Sequence, residues 1–184
     1  MYNILVVNQK GGVGKSTIAD ELAFALERQG KTVNFITIDP QGGLVHENNL
    51  MPEMAEYQII DTPGVLNDKT TELCQSADLV LVPVRPSPRD WEPTMRTYTL
   101  IKQSKTNAKV GAIINEYNPF GILDRDFVSI LTDEGLQLIA RIPKTVALAQ
   151  AVSRQDSIAK LDPHNPAVAA FDDLASFVID EATK

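Results

Sequence analysis

The feature that most constrains the fold is an apolar segment that leads directly into a glycine-rich loop and then a helix-forming segment. Residues 6–17 read VVNQKGGVGKST and follow the β-prone pair Ile4 and Leu5. Glycines let successive backbone N–H groups face one anion, and the dipole of a following helix strengthens the attraction for negative charge. This order of elements predicts a phosphate-binding loop and makes a simple tight turn the weaker interpretation.

The residue types at the end of this loop match the chemistry of a nucleotide site. The ammonium group of Lys15 is predicted to reach the β- and γ-phosphates, the hydroxyl of Ser16 to ligate Mg²⁺, and Thr17 to bind a phosphate oxygen. The backbone that would surround the phosphates comes from the four preceding residues, Gly11, Gly12, Val13 and Gly14. The sequence therefore predicts ATP and Mg²⁺ as ligands.

Apolar runs alternate with helix-like segments along the whole chain. The predicted strands are Asn3–Asn8, Thr32–Ile38, Gln58–Asp61, Leu79–Val84, Val110–Asn115 and Leu138–Ile142. The predicted helices are Lys15–Gln29, Asp68–Ser76, Pro93–Ser104, Arg125–Asp133 and Pro166–Glu181. Most strands are near-continuous apolar runs, as in strands that are covered on both faces. We expect an α/β fold with a doubly wound, mostly parallel sheet flanked by helices, in one domain over residues 1–184, with ligands at the carboxyl ends of the strands.

The amino-acid composition limits where in the cell the protein is expected and which partners it is expected to have. Cys74 is the one cysteine, so an internal disulfide is excluded, and we predict a buried, unreactive thiol. No apolar run approaches the roughly 20 residues of a membrane span. The amphipathic segment 171–184 carries acids instead of lysines, which argues against a membrane-surface anchor. We expect a cytoplasmic protein without a membrane partner.

Charge is unevenly distributed along the chain. The net charge of −7 disfavours nucleic acid as a partner. Residues 85–109, however, hold six lysines and arginines against two acids, a net charge of +4. Any basic surface must therefore be local.

The phosphate loop departs from the usual spacing G-x-x-x-x-G-K-[ST], because Gln9 stands where the first glycine would be. The stretch KGGVGKST instead resembles the deviant Walker A motif of the ParA/MinD family of ATPases. In that family the extra lysine reaches across a dimer interface to the other subunit's nucleotide. The resemblance implies a homodimer with ATP, in which Lys10 and Lys15 are both catalytic and Lys10 acts on the partner's ATP. A solvated surface lysine is the alternative for Lys10.

Two more strand ends resemble motifs of this family. Residues 36–42, ITIDPQG, resemble an Asp-x-Asp-Pro-Gln pattern in which Thr37 replaces the first aspartate and Asp39 keeps the second. The resemblance implies that Asp39 is catalytic and orients the attacking water or reaches Mg²⁺. Residues 59–64, IIDTPG, have the Walker B pattern, which implies that Asp61 holds Mg²⁺ through water. Ordinary turn residues are the alternative at both positions.

The adenine base has two candidate contacts. Asn115 ends the segment Ile113-Ile114-Asn115 in the way that the family places an adenine-contacting asparagine, and Pro143 would lie on the other side of the purine. An asparagine that simply caps a strand is the alternative. Gly64, in the Walker B loop, is expected to contact the γ-phosphate.

The resemblance extends from the first strand to about Ser157 and is greatest to small plasmid partition ATPases without a helix-turn-helix domain. It implies that the ATP-bound dimer binds DNA without sequence preference and associates with the nucleoid, until a ParB-like centromere-binding adaptor stimulates hydrolysis. Candidate DNA contacts are Arg141, Lys144 and Arg154, together with residues 85–109. Each of these cations is alternatively part of a solvated face.

Two other functions stay open at this point. The first is a ParA-like ATP switch that positions a protein cargo or serves conjugation. The second is a nucleotide-binding scaffold with negligible turnover, because Thr37 replaces a family aspartate. The segment 42–56 is shorter than in most relatives, and we interpret its His46 as a loop residue, not a metal ligand.

Overall fold

A six-stranded sheet forms the centre of the protein in a computed structural model that describes residues 1–39, 45–48, 51–65 and 67–184. The strands are β1 Tyr2–Val6, β2 Val33–Thr37, β3 Tyr57–Asp61, β4 Leu79–Val84, β5 Lys109–Tyr117 and β6 Gln137–Pro143. Their order across the sheet is β2-β3-β1-β4-β5-β6, and every neighbouring pair is parallel. The predicted fold class is confirmed, and the sheet is wholly parallel instead of mostly so.

Helices cover both faces of this sheet. They are α1 Lys15–Arg28, α2 Asp68–Ser76, α3 Pro88–Gln103, α4 Ile122–Asp133, α5 Ala147–Ser153, α6 Ile158–Leu161 and α7 Pro166–Ala182. Alternate side chains of a strand point to opposite faces. Ile4 and Val6 of β1 accordingly pack in a core with α1 and α7, whereas Leu5 packs in a second core with α2 and α3. Burial on both faces explains why the strands are apolar throughout.

The structure corrects the start of two helices. The sequence predicted that α3 begins at Pro93. The helix instead begins at Pro88, with the Ser87 hydroxyl accepting a hydrogen bond from the backbone N–H of Arg89, so Pro93 lies inside the helix. Helix α4 begins at Ile122, three residues before the predicted start. The two short helices α5 and α6 were not predicted.

The end of β5 also differs from the prediction. The strand continues past Asn115 to Tyr117, and its pairing with β6 shifts register between Ile114 and Tyr117. Glu116 adopts a left-handed backbone conformation with φ of 55°. This conformation is uncommon for a residue other than glycine, and it turns the last part of the strand.

His46 lies outside regular structure, as expected, but its side chain is buried. Its ring packs against Phe24 and Phe35, and its Nε2 lies 3.0 Å from a carboxylate oxygen of Glu27. Among the described residues no group of three or more histidine, cysteine, aspartate and glutamate side chains could hold a metal ion.

Cys74 is buried, as predicted, and burial raises the pKa of its thiol to about 11. Such a thiol is protonated at neutral pH and unreactive. In the described ranges of the chain no helix is long and apolar enough to cross a membrane.

Candidate functional site

The phosphate loop lies at the carboxyl end of β1 and continues into α1. Gly12 and Gly14 adopt left-handed backbone conformations, with φ of 74° and 94°. A Cβ atom on Gly14 would lie 2.2 Å from Nδ2 of Asn115, so a larger residue would displace the Asn115 side chain and strain the backbone. Gly64 approaches the loop from the end of β3, and a Cβ there would lie 3.1 Å from the backbone oxygen of Gln9. The glycines therefore bring three strand ends together.

Lys15 is the first residue of α1 and is 8% exposed. Its ammonium group lies 3.4 Å from the backbone oxygen of Lys10. Burial lowers the pKa of Lys15, and the nearby carboxylates of Asp61 and Asp39 offset part of that effect. A buried ammonium group of this kind gains a strong counterion when an anion binds beside it.

Ser16 and Asp61 form a pair of oxygen ligands at the start of α1 and the end of β3. The Ser16 hydroxyl donates a hydrogen bond to Oδ2 of Asp61 at 2.7 Å, and Asp61 is fully buried. The second carboxylate oxygen, Oδ1, has no hydrogen-bond partner in the part of the chain that the structure describes. Burial raises the pKa of Asp61, which the Ser16 hydroxyl and the Lys15 charge partly oppose.

An unpartnered buried carboxylate oxygen beside a serine hydroxyl fits a hydrated magnesium ion. Mg²⁺ prefers hard oxygen ligands and usually keeps several of its waters. The free Oδ1 atom of Asp61 could accept a hydrogen bond from such a water, while Ser16 ligates the ion directly. Bound Mg²⁺ would neutralise negative charge on the phosphate oxygens.

The end of β2 brings Asp39 to the same edge of the sheet. The Thr37 hydroxyl accepts a hydrogen bond from the backbone N–H of Asp39 at 3.2 Å, which fixes the turn after the strand. The Asp39 carboxylate acts electrostatically on both Lys15 and Asp61. The remaining residues of this motif, 40–42, lie outside the described residues. The structure thus brings Asp39 together with the predicted phosphate and metal residues.

Lys10 has different surroundings from Lys15. Its ammonium group lies 3.7 Å from Oδ1 of Asp90, in the first turn of α3, and the Asp90 side chain is almost completely buried. The other carboxylate oxygen of Asp90 lies 2.9 Å from Nε of Arg85. The sequence reasoning missed Asp90. The signal was present, because Ser87 and Asp90 have the serine-x-x-acid spacing that marks a helix start.

The predicted base contacts line a cavity of about 470 Å³ beside the phosphate loop. Nδ2 of Asn115 donates a hydrogen bond to the backbone oxygen of Val13 at 2.9 Å, and Pro143 also lines the cavity. The cavity is completed by Val146 and by Leu148 of α5, which sequence reasoning missed because α5 was not predicted. A cavity lined by apolar side chains and an amide is suited to a purine ring.

Glu116 lies between the base cavity and Arg85. Its carboxylate oxygens lie 3.7 Å from Nη1 of Arg85 and 3.7 Å from Nζ of Lys144. Nothing in the sequence marked Glu116, since its position depends on the left-handed turn in β5.

The three predicted DNA contacts are all exposed. The guanidinium of Arg141 lies 5.6 Å from the centre of the Tyr117 ring, and Lys144 pairs with Glu116. Arg154 follows α5, and neither it nor Arg141 has an ion pair among the described residues. Their role in DNA binding stays a prediction.

The cations of residues 85–109 divide into two groups. Those with ion pairs are Arg85, Arg96 and Lys109. Those without an ion pair in the described ranges are Arg89, Lys102 and Lys105.

Comparison with known proteins places these features in a family. A family model described as the CobQ/CobB/MinD/ParA nucleotide binding domain matches residues 4–158. The "Maintenance of carboxysome distribution protein A" of Halothiobacillus neapolitanus is 26% identical over 167 residues, which cover 75% of this chain and 77% of that protein.

Solved structures share the fold. Apo McdA from Cyanothece superposes with a TM-score of 0.82 at 16% identity and covers 97% of this chain and 99% of its own. A putative plasmid partition protein from Borrelia burgdorferi, bound to AMPPNP, has a TM-score of 0.79 at 14% identity. The match covers 98% of this chain and 99% of that chain. At these identities the structural likeness shows the fold alone.

Proposed function

Because the chain belongs to the CobQ/CobB/MinD/ParA family of nucleotide-binding domains, we propose that it is an ATPase that dimerises around two ATP molecules. The ATP-bound homodimer binds DNA without sequence preference and segregates a DNA cargo. A ParB-like adaptor stimulates hydrolysis and so releases the dimer from DNA. One P-loop domain over residues 1–184 carries all of these functions.

The observation that carries this proposal is the difference between the two lysines of the phosphate loop. Lys15 is buried near Asp61 and Asp39, where it serves the nucleotide of its own subunit. Lys10 lies outside this buried group: its side chain is about one-third exposed and contacts Asp90 of α3, and in the dimer it leaves Asp90 for the nucleotide of the partner subunit. A cation that reaches the phosphates only in the dimer makes assembly depend on ATP.

The remaining residues act on the nucleotide of the same subunit. Backbone N–H groups of residues 11–14 bind the phosphates, and Thr17 binds a phosphate oxygen. Ser16 holds Mg²⁺ directly and Asp61 holds it through water. Asp39 orients the attacking water, and the hydrolysed ATP leaves as ADP and phosphate.

The base lies in the cavity between Asn115 and Pro143. In the nucleotide-bound state the Asn115 amide has one free carbonyl lone pair for the adenine amino group, since an amide oxygen has two. Its present acceptor bond comes from the backbone N–H of Glu116 at 3.0 Å.

DNA binding is tested by fluorescence anisotropy of a random-sequence duplex, with ADP or with a slowly hydrolysed ATP analogue. We expect binding with the analogue only, and a steep loss as salt rises, because the contacts neutralise phosphates. The double variant Arg141→Ala/Arg154→Ala should weaken binding, whereas Lys31→Ala, which removes a half-buried cation paired with Glu56, should not. Equal binding with ADP and the analogue would refute the switch.

A protein cargo is the second candidate function. The likeness to a carboxysome distribution protein over 75% of this chain favours it. Stimulation of phosphate release by a centromere-bound adaptor supports DNA cargo, and stimulation by an adaptor that binds no DNA supports a protein cargo. Phosphate release that is the same in wild type and Asp39→Ala would instead favour a scaffold with negligible turnover.

A further inference from the structure

Two cations approach the same buried carboxylate. Asp90 is 1% exposed, and its Oδ1 lies 3.7 Å from Nζ of Lys10. Its Oδ2 lies 2.9 Å from Nε of Arg85, which follows β4 directly. The two oxygens of Asp90 therefore have one cation each.

The proposed function requires that Lys10 leave this carboxylate and reach the nucleotide of the partner subunit. A buried charge that loses its counterion is strongly destabilised. Asp90 lies in the first turn of α3, where the helix dipole stabilises an anion. The dipole acts as only about half a positive charge, so it cannot replace a full counterion. If Lys10 were the sole cation, Asp90 would hold it back and oppose dimerisation.

We propose that Arg85 is a positioning residue, which keeps Asp90 neutralised while Lys10 moves and thereby sets how readily ATP drives dimerisation. This inference rests on the proposed role of Lys10 across the subunit interface. Arg85 is suited to the task because its Nε contact with Asp90 is shorter than that of Lys10. The hydrogen bond to Asp90 also raises the pKa of Arg85, so its charge is constant at every physiological pH.

Glu116 holds the other end of the Arg85 guanidinium. Nη1 of Arg85 lies 3.7 Å from Glu116, whose second oxygen contacts Lys144. Glu116 can make these contacts because its left-handed backbone turns the end of β5. A guanidinium with a carboxylate on each side stays in place when Lys10 departs, since its planar donors are fixed relative to one another.

The test is a double-mutant cycle read by sedimentation velocity, with the slowly hydrolysed ATP analogue and with ADP. Arg85→Gln should raise the dissociation constant of the analogue-bound dimer by roughly tenfold or more, because Lys10 is then held by an uncompensated Asp90. Asp90→Asn should dimerise at least as well as wild type. The double variant Arg85→Gln/Asp90→Asn should return to near the wild-type value, a rescue that a merely structural role of Arg85 would not give.

Two further variants and one further measurement make the result specific. Arg28→Gln removes another arginine–aspartate pair, with Asp172, at the far end of α1, and should dimerise like wild type. Arg85→Lys keeps the charge and should lose much less than Arg85→Gln. Nucleotide affinity of the monomer should be the same for Arg85→Gln and wild type.

The possible failures are distinguishable. If Lys10→Ala dimerises like wild type, the proposed function fails, and the inference fails with it. If Lys10→Ala stays monomeric while Arg85→Gln dimerises normally, only the role of Arg85 is refuted. Failure of Asp90→Asn to rescue Arg85→Gln would likewise overturn the inference.

Discussion

The two halves of the nucleotide site are built differently. In the phosphate half, Lys15 and Asp61 are buried, and the half-buried Ser16 donates a hydrogen bond of 2.7 Å to Asp61. The outer half, formed by Lys10, Arg85, Asp90, Glu116 and Lys144, consists of ion pairs of 2.9 to 3.7 Å. Two of these pairs share the buried Asp90, and the cations are partly or largely exposed. Asp90 can release one of its two cations and keep the other, so its buried charge stays compensated. We propose that the first half binds the nucleotide and that the second half changes partners on dimerisation.

The largest effect is expected where the buried half loses its charge. Lys15→Ala should weaken ATP binding by about a hundredfold or more, because the phosphates lose a desolvated cationic partner. Isothermal titration calorimetry measures this directly. Lys160→Ala, which removes an exposed lysine paired with Asp156, is the matched control and should bind ATP normally. If Lys15→Ala binds ATP with an affinity close to that of the control, the phosphate half is not the part of the site that binds the nucleotide.

The second effect separates metal binding from phosphate binding within the buried half. Asp61→Asn should raise the Mg²⁺ concentration that supports ATP binding by roughly ten- to hundredfold, because loss of a residue that orients a metal ligand weakens metal affinity by that factor. Binding in the presence of a chelator should be unchanged. The fold should survive, because burial already raises the pKa of Asp61 and disfavours its charge. A Mg²⁺ titration that coincides with the wild-type curve would contradict the assignment.

The third effect concerns the ionisation of Glu21, a residue of the helix α1 that begins in the phosphate half. Glu21 of α1 is buried, accepts a hydrogen bond from the backbone N–H of Ile158 at 2.8 Å, and has an unpartnered Oε2 among the described residues. Burial raises its pKa from 4.5 to about 7. An acid with a raised pKa in the native state contributes its stability below the unfolded pKa and loses it as pH rises through the native pKa.

Stability should therefore fall between about pH 4.5 and 7 and stay lower above that range, by at most roughly 3 kcal/mol. Glu21→Gln should lose this part of the pH slope and be more stable than wild type at pH above 7, because the amide stays neutral. Denaturant melts at several pH values measure the slope. Parallel pH profiles for the two proteins would show that Glu21 ionises normally in the native state.

The smallest effect is expected at the base. Asn115→Ala should lower ATP affinity only several-fold, since one hydrogen bond contributes about 1 kcal/mol, and should reduce the preference for ATP over GTP. Competition between ATP and GTP for a fluorescent nucleotide measures both quantities. A change as large as that of Lys15→Ala would mean that Asn115 holds the phosphate loop through its bond to Val13 instead of reading the base.

The local sequence was enough to predict the strands and the position of the phosphate half. Both depend on neighbours in the chain: apolar runs for the strands, and glycines next to Lys15 and Ser16 for the loop. The Asp61 side chain was also predictable, because the ends of parallel strands meet at one edge of the sheet.

The outer half was not predictable in the same way. The contacts of Asp90 with Lys10 and Arg85 join the ends of two strands and a helix, and no local pattern specifies such distances. Helix α5 was missed because seven residues are too few to show a helical period. The unusual backbone of Glu116 is set by the irregular pairing of β5 with β6.

The most direct test of the cross-subunit role is the oligomeric state of wild type and Lys10→Ala, measured by sedimentation velocity with Mg²⁺ and either ADP or the slowly hydrolysed ATP analogue. We predict that wild type is monomeric with ADP and dimeric with the analogue, whereas Lys10→Ala binds the analogue and stays monomeric. Equal dimerisation of the two proteins with the analogue would contradict the account, because Lys10 would then have no function at the nucleotide of a partner.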